Sequence, residues 1–170
     1  LRDDRHRSGR KTLAQRAKSG DLEVKAHLLG QRPARLIILG QGEEEAALRQ
    51  LIDDLGIAEH VDLVGFQKNP FSWMRRCDLY VMSSAWEGLP GTLIEALACG
   101  AKVVSTDCRT GPREILEDGK WGTLVPVGDA DALAVAIGDA LDADANINPQ
   151  ERTCAFESTG IVTSYSRLLL

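Results

Sequence analysis

From Arg35 onward, short apolar runs alternate with segments of helical periodicity, and this alternation restricts the fold more than any other feature of the chain. "RLIILG" closes on glycine and reads as a buried strand. "EEEAALRQLIDDLG" follows it, with Leu48, Leu51, Ile52 and Leu55 on one helical face and Gly56 as the stop. "VDLVGF", "DLYVMS", "KVVST" and "GTLVP" read as further strands. "NPFSWMRRC", "GTLIEALACG", "GPREILEDG" and "DADALAVAIGDALD" read as the helices that follow them. Strands are expected near residues 36–39, 61–64, 79–82, 102–105 and 123–125. Strict alternation implies right-handed crossovers and a parallel sheet covered on both faces. The fold class is therefore α/β, a doubly wound, Rossmann-like parallel sheet in a single domain. Such sheets hold ligands beyond the carboxyl ends of their strands.

The first 34 residues break the pattern. "LRDDRHRSGR" is almost wholly polar, and no hydrophobic opening strand is legible. The expectation is an irregular start over residues 1–34, poorly packed before about Leu22. The binding domain is placed at 35–145. A C-terminal helix region at 146–170 includes "RTCAFESTGIVTSYSRLLL". With 170 residues the chain can bury a core, and a hydrophobic fraction of 44% is ordinary for such a domain. A net charge of −5 argues against a nucleic-acid partner. No apolar run approaches the roughly 20 residues needed to span a bilayer, and the polar start shows no secretory signal. The four cysteines lack metal-ligand spacing and read as thiols in a reducing compartment, so a cytoplasmic location is expected.

The stretch "SAWEGLPGTLIEALACG" carries the chemistry. Glu87 sits in a Gly/Pro-rich loop at the carboxyl edge, and Glu95 lies about one turn into the next helix. Gly88, Leu89, Pro90 and Gly91 form the turn between them. A helix N-terminus offers unpaired N–H groups and the positive end of a dipole, which suits an anion such as phosphate. Glu95 can reach sideways to a diol. A ligand with phosphate at its centre and hydroxyls on both sides fits, and a nucleotide-sugar has that form. The bland alternative is a solvated helix glutamate and a loop acid.

Other features have plainer explanations. "DAD" at Asp129–Asp131 opens a helix and reads as an N-cap. His27 and His60 are isolated. Trp86 reads equally as a pocket wall or as packing. Gly111 is expected to shape the pocket floor, and Glu114 to be a helix-surface acid. "GQG" at Gly40–Gly42 is a tight strand-to-helix turn without the third glycine of a dinucleotide fingerprint.

"EGLPGTLIEALACG" resembles the E-x7-E motif of the family-4 retaining glycosyltransferases, whose fold is called GT-B. "RPARLIILGQGEE", "HVDLVGFQKNP", "CDLYVMSSAWEGLPG", "KVVSTDCRTGPREIL" and "WGTLVPVGDADALA" agree with that family in order, from about Arg32 to Leu141. The resemblance implies that Glu95 holds the ribose and Glu87 the donor sugar. It implies that the amides from Leu89 through Thr92 to Leu93 hold the distal phosphate, and that the nucleobase lies against Phe66 and Gln67. The family's Gly-Arg-x5-Lys pair, which neutralises the departing diphosphate, falls on Arg10 and Arg16, with arginine replacing lysine at the second position.

The implied reaction moves a hexosyl group from a nucleoside diphosphate sugar, with uridine as the base, to an acceptor hydroxyl with retention and without a metal. No cofactor is implied, since the nucleotide-sugar is substrate. Glu87 is read as a positioner rather than a nucleophile. The match falls on the C-terminal, donor-binding half of the family. A glycan or lipid-linked acceptor would then meet an N-terminal domain absent from this sequence, and peripheral membrane association belongs to the full-length protein. The chain is thus a fragment, a truncated protein or half of a complex, and an altered reading frame upstream of about Arg32 is a further alternative. A donor-binding module without turnover is the second functional reading.

Overall fold

A computed structural model describes residues 34–143 and 148–156 in full and residues 11–16 by their backbone. Six parallel strands form one sheet: β1 (Lys11–Arg16), β2 (Ala34–Leu39), β3 (Val61–Leu63), β4 (Leu79–Met82), β5 (Val103–Thr106) and β6 (Thr123–Val125). Their spatial order is β3-β2-β1-β4-β5-β6. The order reverses between β1 and β4, and in a doubly wound sheet that switch point opens a crevice at the carboxyl edge. The helices are α1 (Glu45–Asp54), α2 (Phe71–Met74), α3 (Gly91–Ala98), α4 (Pro112–Ile115), α5 (Ala130–Asp142) and α6 (Gln150–Thr153).

β4 shows why the sheet is covered twice. All four of its residues are buried. Leu79 and Val81 point to one face, with Leu36, Ile38, Val104 and the apolar stripes of α1 (Leu48, Ile52) and α5 (Leu133, Ile137, Leu141). Tyr80 and Met82 point to the other, with Leu93, Ala96 and Leu97 of α3 and Ile115 of α4. Successive side chains alternate between faces, so a strand in this position must be apolar throughout. The Asp129 side chain accepts the Ala132 amide at 2.8 Å and caps α5 as expected. Gly56 follows α1 at φ +64°, the left-handed stop its position predicted.

The start of the chain corrects one expectation. Residues 11–16, expected to be irregular, form the central strand, pairing with β2 from Lys11↔Ala34 to Arg16↔Leu39 and with β4 from Leu13↔Leu79 to Gln15↔Val81. "KTLAQR" has only Leu13 and Ala14 as apolar residues, so it lacks the run that marks a buried parallel strand. Ladder bonds from both neighbours, rather than local propensity, define it as a strand. Near the other end, α6 and a single 3₁₀ turn over Cys154–Phe156 stand where one longer helix was expected from Arg152. The residues after 156 lie outside the described set.

Arg152 ties this segment down. Its Nε donates to the Ile115 carbonyl at 2.7 Å and its Nη2 to that of Glu114 at 2.9 Å, and its guanidinium lies 4.6 Å from the centre of the Phe156 ring. Glu117 pairs with it at 3.3 Å and also accepts the Trp121 indole N–H at 2.8 Å and Lys120 Nζ at 3.1 Å. The indole hydrogen bond, followed by the lysine, holds the Glu117 carboxyl below its ordinary value of 4.5. A carboxyl depressed in the folded state contributes stability above its unfolded pKa and loses it as pH falls through the folded one. The difference in melting temperature between the wild type and Glu117→Gln should therefore shrink as pH is lowered from 7 to about 3. Thermal scans across that range check it, and a constant difference contradicts it.

Candidate functional site

β4 delivers the chain to Ser83 and Ser84 at the carboxyl edge. Thr106, at the end of β5, donates its hydroxyl to the Ser84 carbonyl at 2.6 Å. Ser84, itself buried, donates its hydroxyl to Glu87 Oε1 at 2.5 Å. Thr110 donates to the Glu87 carbonyl at 2.5 Å. Beside it Gly111 adopts φ +97°, and a Cβ there would lie 2.3 Å from Pro90 Cδ and 2.9 Å from the Gly88 oxygen. Segment 106–111 therefore grips segment 84–90 through hydroxyl bonds and through one glycine that permits the close approach. Gly111, expected at the pocket floor, lines neither of the two clefts at this edge and instead packs behind the Glu87 turn.

Two adjoining clefts open at this edge. The first, about 400 Å³, is lined by Glu87, Ser84, Trp86, Met82 and the Gly40–Glu45 turn. The second, about 320 Å³, is lined by Glu95, Phe66, Gln67, Pro70 and Met74. Leu39, Gly40, Gln41, Tyr80 and Thr92 belong to both. The E-x7-E spacing thus sends one half-buried carboxylate to each cleft, with the start of α3 between them. Gln67 donates its side-chain amide to the Val64 carbonyl at 2.8 Å, which fixes the amide and leaves its own carbonyl oxygen as the acceptor. Phe66 is exposed beside it.

The expected cradle of amides from Leu89 to Leu93 is narrower than the sequence suggested. Pro90 has no N–H. Gly91 donates to the Leu89 carbonyl at 2.9 Å and Leu93 to that of Pro90 at 3.0 Å. The amides of Leu89 and Thr92 make no hydrogen bond among the described residues, and these two are available to an anion. Arg16 closes β1 at the carboxyl edge, level with Leu39, while Lys11 opens it at the amino edge. Arg10 lies outside the described residues.

Each site carboxylate has a thiol near it. Burial first, and then the negative charge of Glu95, pushes the Cys99 thiol up, and burial followed by Glu87 does the same to Cys108. None of the four cysteines is in a disulfide. The gripping hydroxyls of Thr106 and Thr110 went unremarked in the sequence. The only signal for them was the adjacency of β4 and β5, which places the loops after those strands side by side.

The sequence profile described as "Glycosyl transferases group 1" matches residues 18–143, well over half of the chain. The chain belongs to the group 1 glycosyl transferases. It is 54% identical over 83 residues to an uncharacterised glycosyltransferase of Methanocaldococcus jannaschii, a match covering 49% of this chain and 20% of that protein. It is 34% identical over 129 residues to the N-acetylgalactosamine-N,N'-diacetylbacillosaminyl-diphospho-undecaprenol 4-alpha-N-acetylgalactosaminyltransferase of Campylobacter jejuni, covering 76% of this chain and 35% of that protein. The chain thus spans about a third or less of these relatives' length. Among solved structures, Anabaena HepE in complex with UDP superposes with a TM-score of 0.77 at 25% identity, over 95% of this chain and 49% of HepE. TarM of S. aureus, in complex with fondaparinux, alpha-GlcNAc-glycerol and UDP, superposes with a TM-score of 0.83 at 21% identity, over 96% of this chain and 36% of TarM. The fold of this glycosyltransferase chain is one Rossmann-like half of a GT-B architecture.

The grip on the Glu87 turn predicts a specific sensitivity. Gly111→Ala forces a Cβ into Pro90 at a backbone angle that L-residues rarely adopt, and should destabilise the protein by about 2 kcal/mol or more. Denaturant unfolding measures this directly. Gly128, also at positive φ but with no atom within 4 Å of a built Cβ, should suffer less on the same substitution.

Proposed function

We propose that this chain is the C-terminal, donor-binding half of a family-4 retaining glycosyltransferase that transfers a hexosyl group from a UDP-sugar to an acceptor hydroxyl. The observation that carries this reading is the pair of adjoining clefts, each with one glutamate of the E-x7-E motif, meeting at the N-terminus of α3. The uracil lies against Phe66 and Gln67, the ribose diol bonds to Glu95, the distal phosphate meets the amides of Leu89 and Thr92, and the hexose lies at Glu87. The UDP bound to HepE and TarM supports this choice of nucleotide.

In the reaction the acceptor oxygen forms a bond to the anomeric carbon as the bond from that carbon to the diphosphate breaks. The transition state is oxocarbenium-like, and negative charge builds on the departing diphosphate. Preorganised amides and the dipole of α3 stabilise that charge, with Arg16 as the cation from the end of β1. A phosphate oxygen takes the acceptor's proton, and the cations at the diphosphate take the place of a metal. Glu87 acts as a positioner, since Ser84 already occupies one of its oxygens and holds the carboxylate in orientation. The acceptor, a glycan or lipid-linked saccharide as in the Campylobacter relative's name, is bound by the rest of a longer protein working in the cytoplasm at the membrane face. No helix among the described residues is long and apolar enough to cross a membrane. Binding without turnover is the second reading, and it shares this site. Release of UDP from a UDP-hexose by the full-length protein with acceptor present separates the two.

Charge-assisted hydrogen bonds contribute roughly 1.5–3 kcal/mol each against about 1 for neutral ones. Glu95→Gln should therefore weaken UDP binding about tenfold, near 1.4 kcal/mol. The loss should vanish for the 2′,3′-dideoxy nucleotide. Glu87→Gln should leave UDP binding unchanged and weaken only the UDP-hexose. Titration calorimetry checks all three, and equal losses of UDP and its dideoxy analogue in Glu95→Gln would remove Glu95 from the ribose site.

A further inference from the structure

We infer that Trp86 is the platform on which the hexose ring stacks, with the apolar C–H face of the pyranose on the indole and its hydroxyls toward Glu87. The inference rests on the proposed donor-site reading and adds the residue that recognises the sugar. Trp86 is 76% exposed, the most exposed of the large apolar side chains among the described residues. What gives this indole a use is its place, since it lines the cleft that Glu87 enters and presents a flat apolar surface to it. Its backbone is nevertheless held. Trp86 lies between Ser84, whose carbonyl accepts from Thr106, and Glu87, whose carbonyl accepts from Thr110 and whose carboxylate accepts from Ser84.

The indole lines the same 400 Å³ cleft as Glu87, across from the Gly40–Glu45 turn. That cleft offers a polar carboxylate and a flat apolar surface on successive residues of one braced turn. A pyranose has the matching duality, with hydroxyls around its edge and C–H groups on a face. A rigid two-torsion aromatic side chain gives such contact at low cost in lost rotamers. The nucleotide lies in the other cleft, so the indole contributes to the sugar and not to the UDP.

The test uses the purified protein with UDP, UDP-glucose, UDP-galactose and UDP-N-acetylglucosamine as probes. Trp86→Ala should leave UDP affinity unchanged and weaken whichever UDP-hexose binds the wild type best by about tenfold. Trp86→Phe should recover most of that loss, because a smaller ring still stacks. In a protein carrying Trp73→Phe and Trp121→Phe, the emission of Trp86 should shift on adding the UDP-hexose and not on adding UDP. Melting temperatures of both Trp86 variants separate a loss of folding from a loss of sugar binding. If Trp86→Ala binds the UDP-hexose as tightly as the wild type, or loses UDP and UDP-hexose equally, the platform is overturned while the donor site stands. If the wild type binds none of the four probes, the donor-site reading itself fails, and the platform with it.

Discussion

The grip of the loop after β5 on the loop after β4 is the constraint on which the site depends. Thr106 and Thr110 donate to the carbonyls of Ser84 and Glu87 in the neighbouring loop, and the Ser84 hydroxyl donates to the Glu87 carboxylate. Gly111 lies so close to Pro90 that no other residue fits without displacement. These contacts fix where Glu87 points and where α3 begins. They also fix the amides of Leu89 and Thr92, since an anion site built from backbone is only as rigid as the turn presenting it. A loop held only by its own sequence could not keep a carboxylate and a helix N-terminus in register.

The sheet supplies the frame for that grip. β4 is buried on both faces, with Tyr80 under the clefts and Leu79 and Val81 in the opposite layer. Placing β1 beside β4 creates the reversal of strand order, and both clefts span it at the carboxyl edge, each lined by Leu39 and Gly40 on one side and by Tyr80 and Thr92 on the other. The proposed donor would cross this edge from Phe66 to Glu87 and pass the start of α3 midway. The narrowed cradle makes the arrangement more specific, since two of the four amides from Leu89 to Leu93 are open to a phosphate.

Five of the six strands were legible because each is a compact apolar run closed by a turn residue, and a strand buried on both faces has to be written that way. β1 was not legible. "KTLAQR" carries its strand identity in its two neighbours, information that lies far away in the sequence. The two glutamates were legible because their spacing straddles a loop and a helix start. The residues that hold them were not, since Thr106 and Thr110 act across a strand boundary and leave no periodic mark. Trp86 could be read either as wall or as packing from the sequence, and the structure places it in the lining of the cleft that Glu87 enters.

The central claim is that a nucleoside diphosphate lies across the start of α3 with its ribose on Glu95. A crystal structure of the protein with UDP measures this most directly. The account predicts both ribose hydroxyls within about 3 Å of the Glu95 carboxylate, the terminal phosphate on the amides of Leu89 and Thr92, and the uracil between Phe66 and Gln67. UDP bound with its ribose away from Glu95, or with its phosphates away from the start of α3, would contradict it.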